Sequence, residues 1–195
     1  IELTYNQNQK DILEYAKAII DTGMPPGIIM IDDNWQEDYG KWNFHQGRFP
    51  NPKAMMKELK ELGFKVMLWV CPFVSADSDV YRELEKKGIF MLDETEKPAM
   101  VRWWNGVSAL LDLTNPESEK WFKGVLDGLI KNYGVDGFKL DAGDGRFYKG
   151  IKSLKEVNPN KHTELFAKIG LSYPYNEYRA TWKMGGQPLV QRLHD

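Results

Sequence analysis

Val135-Asp136-Gly137-Phe138-Lys139-Leu140-Asp141-Ala142-Gly143-Asp144 decides the fold: a short apolar run ends abruptly in two carboxylates separated by a small, flexible pair. A strand buried on both faces and then stopped by an acid is how a parallel α/β barrel delivers a reactive group to its C-terminal mouth. An Asp before a small residue also serves as an ordinary cap or turn former. Recurrence favours the barrel. Ile28-Ile29-Met30-Ile31 runs into Asp32-Asp33-Asn34-Trp35, Leu110-Leu111 into Asp112, and Leu189-Val190 leads through Gln191-Arg192-Leu193-His194 to Asp195. Such repetition predicts one acidic rim, with Asp141 as the first candidate for chemistry.

Working outward, Asn8 to Asp21 carries Ile12, Leu13, Tyr15, Ala16, Ile19 and Ile20 in a helical stripe, and Pro25-Pro26-Gly27 then launches the strand Ile28 to Ile31. Pro52 to Leu62 reads as a helix stopped by Gly63, followed by the strand Phe64 to Val70 and a helix over Asp79 to Lys87. Lys97 to Val107 reads as a loop and Ala109 to Leu113 as a short strand. Thr114-Asn115-Pro116-Glu117 is a helix start, and that helix ends at Gly134, before Val135 to Leu140. Arg146 to Asn160 reads as a polar insertion, Thr163 to Ile169 as the end of a helix, and Tyr178 to Met184 as a short helix. The alternation predicts parallel βαβ units with right-handed crossovers. Five or six strands cannot close an eight-stranded barrel. Residues 1–195 are therefore expected to be an incomplete catalytic (β/α)8 TIM barrel, from the end of strand 1 to about strand 6, cut from a larger multidomain protein whose flanking domains are absent.

A formal net charge of −2, from 28 acidic and 26 basic side chains that are scattered along the chain, argues against nucleic acid and anionic membranes as partners. No apolar run reaches the roughly 18 residues needed to span a bilayer. Cys71 is the single cysteine, so no internal disulfide or cysteine-rich zinc site is expected, and its apolar surroundings read as core. Aromatic side chains make up 13% of the chain, with seven Trp. Trp35, Trp42, Trp103, Trp104 and Trp182 lie beside polar or Gly residues in expected loops, where a flat apolar face next to hydrogen-bonding groups suits a sugar ring.

Several blocks, in order and over nearly the whole chain, carry a resemblance. They are Ile31-Asp32-Asp33-Asn34-Trp35, Trp42-Asn43-Phe44, Arg48-Phe49-Pro50-Asn51-Pro52-Lys53, Gly63 to Val70, Asp112-Leu113-Thr114-Asn115-Pro116 and Gly137 to Asp144. Together they resemble glycoside hydrolase family 31, within it the branch whose characterised members act on α-galactosides. The resemblance implies that Asp141 is the nucleophile and Asp195 the acid/base. It places Arg179 and Asp32 on the sugar, Trp104 as a wall of the same subsite, and Trp35 beside it. Asp144 stands where the family has Glu and is expected to orient its neighbours. The α-glucosidase pattern has an aliphatic residue between two acids where this chain has Asp33 and Asn34, which puts Asp33 at the sugar's O4 and O6 and argues against glucose. By resemblance the location is periplasmic or extracellular.

The implied chemistry is retaining hydrolysis of a terminal α-linked sugar, which needs an ionised carboxylate and a protonated one roughly 5–5.5 Å apart and neither metal nor organic cofactor. Lys139, inside a buried strand, requires a carboxylate partner. His45, His162 and His194 show no ligand spacing. Four alternatives stay open at this point: an α-glucosidase, an α-xylosidase, a metal-dependent barrel enzyme using Asp32, Asp112, Asp141 and Asp144, and a barrel that binds sugar without cleaving it.

Overall fold

The computed structural model describes residues 7–192. In chain order these form α1 (Gln9–Asp21), β1 (Ile28–Ile31), β2 (Gln36–Asp38), β3 (Lys41–Phe44), α2 (Pro52–Glu61), β4 (Lys65–Val70), β5 (Phe73–Ser75) and α3 (Asp79–Lys86). There follow β6 (Met100–Trp103), β7 (Gly106–Leu110), α4 (Pro116–Tyr133), β8 (Gly137–Leu140), a 3-10 turn (Gly145–Tyr148), α5 (Pro159–Gly170), β9 (Tyr175–Tyr178) and β10 (Val190–Gln191).

β1, β4, β8, β9 and β10 form one parallel sheet in that order. Spatial order equals chain order, so the sheet winds in one direction, as a barrel wall does and a doubly wound sheet does not. Among the described residues β1 and β10 are its two edges, and the wall is an open arc. Register then decides what meets inside it. Trp69 pairs with Lys139 and Lys139 with Glu177, so parallel pairing sends these three side chains to the same face, in one layer.

The helices start where backbone chemistry permits. Asn51-Pro52, Asn115-Pro116 and Asn158-Pro159 each supply an Asn side chain that accepts a first-turn N–H and a Pro whose missing N–H has no intrahelical partner to lose. Gly134, with φ of 71°, ends α4 in the left-handed conformation. The inner faces of the helices bury Ile12 and Ala16, Met55, Met56 and Leu59, and Phe122, Leu126 and Leu129. None of the described helices is long and apolar enough to cross a membrane.

Three expectations are corrected. Residues 97–107 contain β6, the two-residue turn Trp104-Asn105 and the start of β7, not a loop, because Trp103 pairs with Gly106, which enters the strand at φ of 106°. The strand expected at 109–113 belongs with β7 to a separate antiparallel sheet, β5-β7-β6, and not to the barrel wall. The short helix expected from Tyr178 is instead the last residue of β9 and an irregular segment with Lys183 at φ of 54°. The helix end expected at 163–169 lies within α5, which starts at the Asn158-Pro159 signal.

Gly137 opens β8 because the neighbouring strand comes close: a Cβ there would lie 1.9 Å from the Tyr175 carbonyl oxygen. Gly137→Ala in the intact protein is therefore expected to cost about 3 kcal/mol or to prevent folding. Gly128→Ala, in α4 with nothing within 4 Å of the added carbon, is expected to gain about 0.5–1 kcal/mol. Denaturant midpoints of the two variants check the pair, and equal effects would refute the close approach.

Candidate active site

β8 delivers Asp141 to the C-terminal end of the sheet with 6% of its surface exposed, its amide bonded to the Val70 carbonyl at 2.9 Å. The backbone then turns sharply. Ala142 is buried at φ of 60°, a strained setting for a side chain, and a Cβ on Gly143 would meet the Phe166 ring at 2.5 Å. The pair after Asp141 is small because it is tightly packed, not because it is flexible.

The two oxygens of Asp141 have different surroundings. Oδ2 accepts the indole N–H of buried Trp69 at 2.7 Å. Oδ1 accepts the Ala142 amide at 2.9 Å and faces two guanidinium groups, Arg179 Nη1 at 3.9 Å and Arg192 Nη2 at 3.8 Å. Each arginine is held from behind by a second carboxylate: Arg179 Nε by Asp144 at 3.2 Å and Arg192 Nε by Glu177 at 3.2 Å. Arg179 and Arg192 follow β9 and β10, their amides bonded to the carbonyls of Leu140 and Tyr178. Oδ1 thus has cations at 3.8–3.9 Å and no closer one, and these longer separations leave it able to approach a reacting atom.

Asp32, 4% exposed at the end of β1, receives the Lys139 ammonium at 2.6 Å, with both side chains 5% exposed. This pair spans β4. Asp33 turns elsewhere: it accepts from the Asn34 amide, Gln36, both approaches of the Tyr39 hydroxyl at 3.1 Å, and Asn105. Burial pushes its carboxyl above the usual range. Asn105 sits in the β6–β7 turn beside Trp104, so Asp33 ties the β1 loop to the strand turn that carries this indole. Trp104 is 46% exposed and lies under the Arg179 guanidinium at 4.9 Å.

Trp35 does not line this pocket. It is fully buried, donates its indole N–H to the Trp69 carbonyl at 2.8 Å and packs on Trp42 and Phe44. Trp42 and Trp103, 5% and 6% exposed, are likewise core. Their polar sequence neighbours belong to the short strands β2, β3 and β6, whose alternate faces pack inward. Asp112 also leaves the rim. Its carboxylate accepts from the Thr114 amide and hydroxyl and from the Leu154 amide, pinning the insertion after β8. Without Asp112 the acids proposed for a divalent cation do not converge, and among the described residues no group of three His, Cys, Asp or Glu is placed to hold a metal. The Cys71 thiol is buried and pushed well up by burial. His194 and Asp195 lie outside the described residues. Trp69, Tyr39, Asn105, Glu177 and Arg192 were not singled out from sequence. Only the strand register, which aligns Trp69 and Glu177 with Lys139, points to any of them.

Residues 2–191 match the glycosyl hydrolases family 31 TIM-barrel domain. The mouse protein "Myogenesis-regulating glycosidase" is 41% identical over 138 residues, 70% of this chain and 19% of that protein. "Alpha-xylosidase XylQ" of Lactiplantibacillus pentosus is 25% identical over 161 residues, 81% of this chain and 21% of its own. The chain thus spans about a fifth of the length of these curated relatives. Among solved structures, a Flavobacterium johnsoniae dextranase complexed with glucose superposes with a TM-score of 0.87 at 22% identity, over 95% of this chain and 26% of that one, a likeness of fold.

The buried Asp32–Lys139 pair makes a stability prediction. Lys139→Met is expected to cost about 3–5 kcal/mol by stranding a buried carboxylate, and Asp32→Asn added to it to return part of that loss. Urea midpoints for both single variants and the double variant measure the coupling, and strictly additive losses would exclude it.

Proposed function

The chain belongs to glycoside hydrolase family 31, and on that premise we propose that the protein carrying it hydrolyses terminal α-glycosides with retention of configuration, using Asp141 as nucleophile. The observation that carries this reading is the asymmetric setting of Asp141, with one oxygen tied to Trp69 and the other facing two arginines at 3.8–3.9 Å. A nucleophilic carboxylate must be ionised, fixed in orientation and short of one close cation that would quench it. In the first step Asp141 forms a glycosyl ester as the leaving oxygen takes a proton; in the second, water cleaves the ester. Asp195 is assigned as the proton donor from the resemblance around Gln191 to Asp195. The remaining strands of the barrel are proposed to come from the rest of the protein.

The sugar sits, in this reading, between Asp32, Lys139, Arg179 and the Trp104 face. Its proposed identity is galactose. In place of the aliphatic residue of the glucosidase pattern the chain has Asp33, whose carboxylate organises Tyr39 and Asn105 and through Asn105 sets the Trp104 turn. A pocket that hydrogen-bonds one hydroxyl orientation rejects the epimer by leaving its own polar groups unpaired. α-Glucoside and α-xyloside are the competing substrates.

Rates of the intact protein on aryl α-galactoside, α-glucoside and α-xyloside test the reading. Galactoside is expected to lead, and Asp33→Ile to narrow its lead; a glucoside or xyloside preference in the unaltered protein defeats the galactose assignment. Asp141→Ala is expected to lower turnover by about three or more orders of magnitude with the fold intact, and near-normal turnover would remove Asp141 from the mechanism. Sugar binding without turnover by the unaltered protein would mark a non-catalytic barrel. For Asp195→Ala the loss is expected to be much smaller on an aryl glycoside, whose leaving group needs little protonation, than on a disaccharide. Equal losses on the two would count against the acid role.

A further inference from the structure

Trp35, Trp42, Trp69 and Trp103 are buried, and Trp121 packs half-buried against the core. Trp104 and Trp182 are the two large indoles left open, at 46% and 41% exposure. Stacking under Arg179 accounts for Trp104. Trp182 has a different setting: it lines a separate cleft of about 580 Å3 with Asp144, Arg146, Lys149, Asn158 and Asn160. This volume is in the range of small-molecule sites. The cleft adjoins the catalytic cluster directly, since Asp144, on its wall, holds the arginine that faces Asp141.

The Trp182 indole face is an apolar surface set among polar groups. The surrounding groups have the matching polarity. Asn158 accepts the Lys161 amide through its Oδ1 at the start of α5 and lines the cleft, its carboxamide keeping two N–H donors. Asn160 is pressed against the chain where Gly145 has no side chain, its Oδ1 only 2.4 Å from where a Cβ would be. Arg146, its guanidinium over Phe147 at 4.8 Å, and Lys149 add cationic donors. An apolar plate edged by donors and acceptors fits a ring with C–H faces and hydroxyl edges.

We propose that this cleft is the subsite for the leaving group, and that it takes a second sugar ring stacked on Trp182. The assignment rests on the glycosidase reading and extends it from the sugar that is cleaved off to the sugar that departs. It makes the natural substrate an oligosaccharide and not a glycoside of a small alcohol.

The test compares two substrates of the intact protein that carry whichever sugar the aryl panel favours: the α-glycosyl fluoride, whose leaving group is one atom, and an α-linked disaccharide. Trp182→Ala is expected to lower kcat/KM for the disaccharide about tenfold more than for the fluoride, through KM, as loss of one aromatic contact implies. Trp182→Phe is expected to restore most of the difference, and turnover of the fluoride shows that each variant is folded. Equal losses on both substrates, or a disaccharide rate insensitive to Trp182, overturn the subsite and leave the hydrolase reading standing. Failure of the unaltered protein on every fluoride overturns both.

Discussion

Parallel strand register is the constraint on which the site depends. Because Trp69, Lys139 and Glu177 are register partners on β4, β8 and β9, they stand side by side in one layer on one face of the sheet. Each then fixes a different residue of the mouth: Trp69 binds Asp141, Lys139 binds Asp32, and Glu177 binds Arg192. A slip of one residue in any of these strands would turn its member of the layer to the opposite face. The close approach at Gly137, which admits β9 beside β8, therefore belongs to the same machinery as the carboxylate that β8 presents.

The charges in this layer explain its rigidity. A lysine ammonium with 5% exposure is tolerated only with a partner, and Asp32 supplies it from across β4. The cost of desolvating both ions makes the pair weak evidence of stability but a strong restraint on geometry, since any arrangement that separates them leaves a buried charge. Around Asp141 acid and cation alternate, in the order Asp144, Arg179, Asp141, Arg192 and Glu177. Both cations that face Asp141 are engaged more closely by another acid, Arg179 by Asp144 and Arg192 by Glu177.

Much of this was legible in the chain. The strand ends at Asp32 and Asp141, the need of Lys139 for a carboxylate, and the helix starts at Asn51-Pro52 and Asn115-Pro116 all follow from local chemistry that the fold does not override. What was hidden was hidden for physical reasons. β9 reads Tyr-Asn-Glu-Tyr, and a strand whose inward face carries a functional acid loses the apolar signature by which strands are found. Trp35, Trp42 and Trp103 look like loop residues because their neighbours are polar, yet Trp42 and Trp103 occupy the buried faces of short strands and Trp35 is buried just before β2. Asp112 follows an apolar run just as Asp141 does. Only tertiary pairing shows that its strand, β7, leaves the wall and that its carboxylate is spent on the backbone of the insertion.

The side sheet β5-β7-β6 therefore does more than cover the core. Its turn carries Trp104 and Asn105 to the mouth, where Asp33 holds Asn105 and Arg179 lies over Trp104. Asp33 and Arg179 come from opposite parts of the wall, after β1 and after β9, so the turn is clamped from two strands at once. The indole face is held against Arg179 by the geometry of Asp33, which gives a residue of the β1 loop leverage over the far wall of the pocket. Specificity in such a site is set by how loops are tied together as much as by which groups touch the sugar. The tie from Asp33 through Asn105 thus fixes where the Trp104 face stands relative to Arg179.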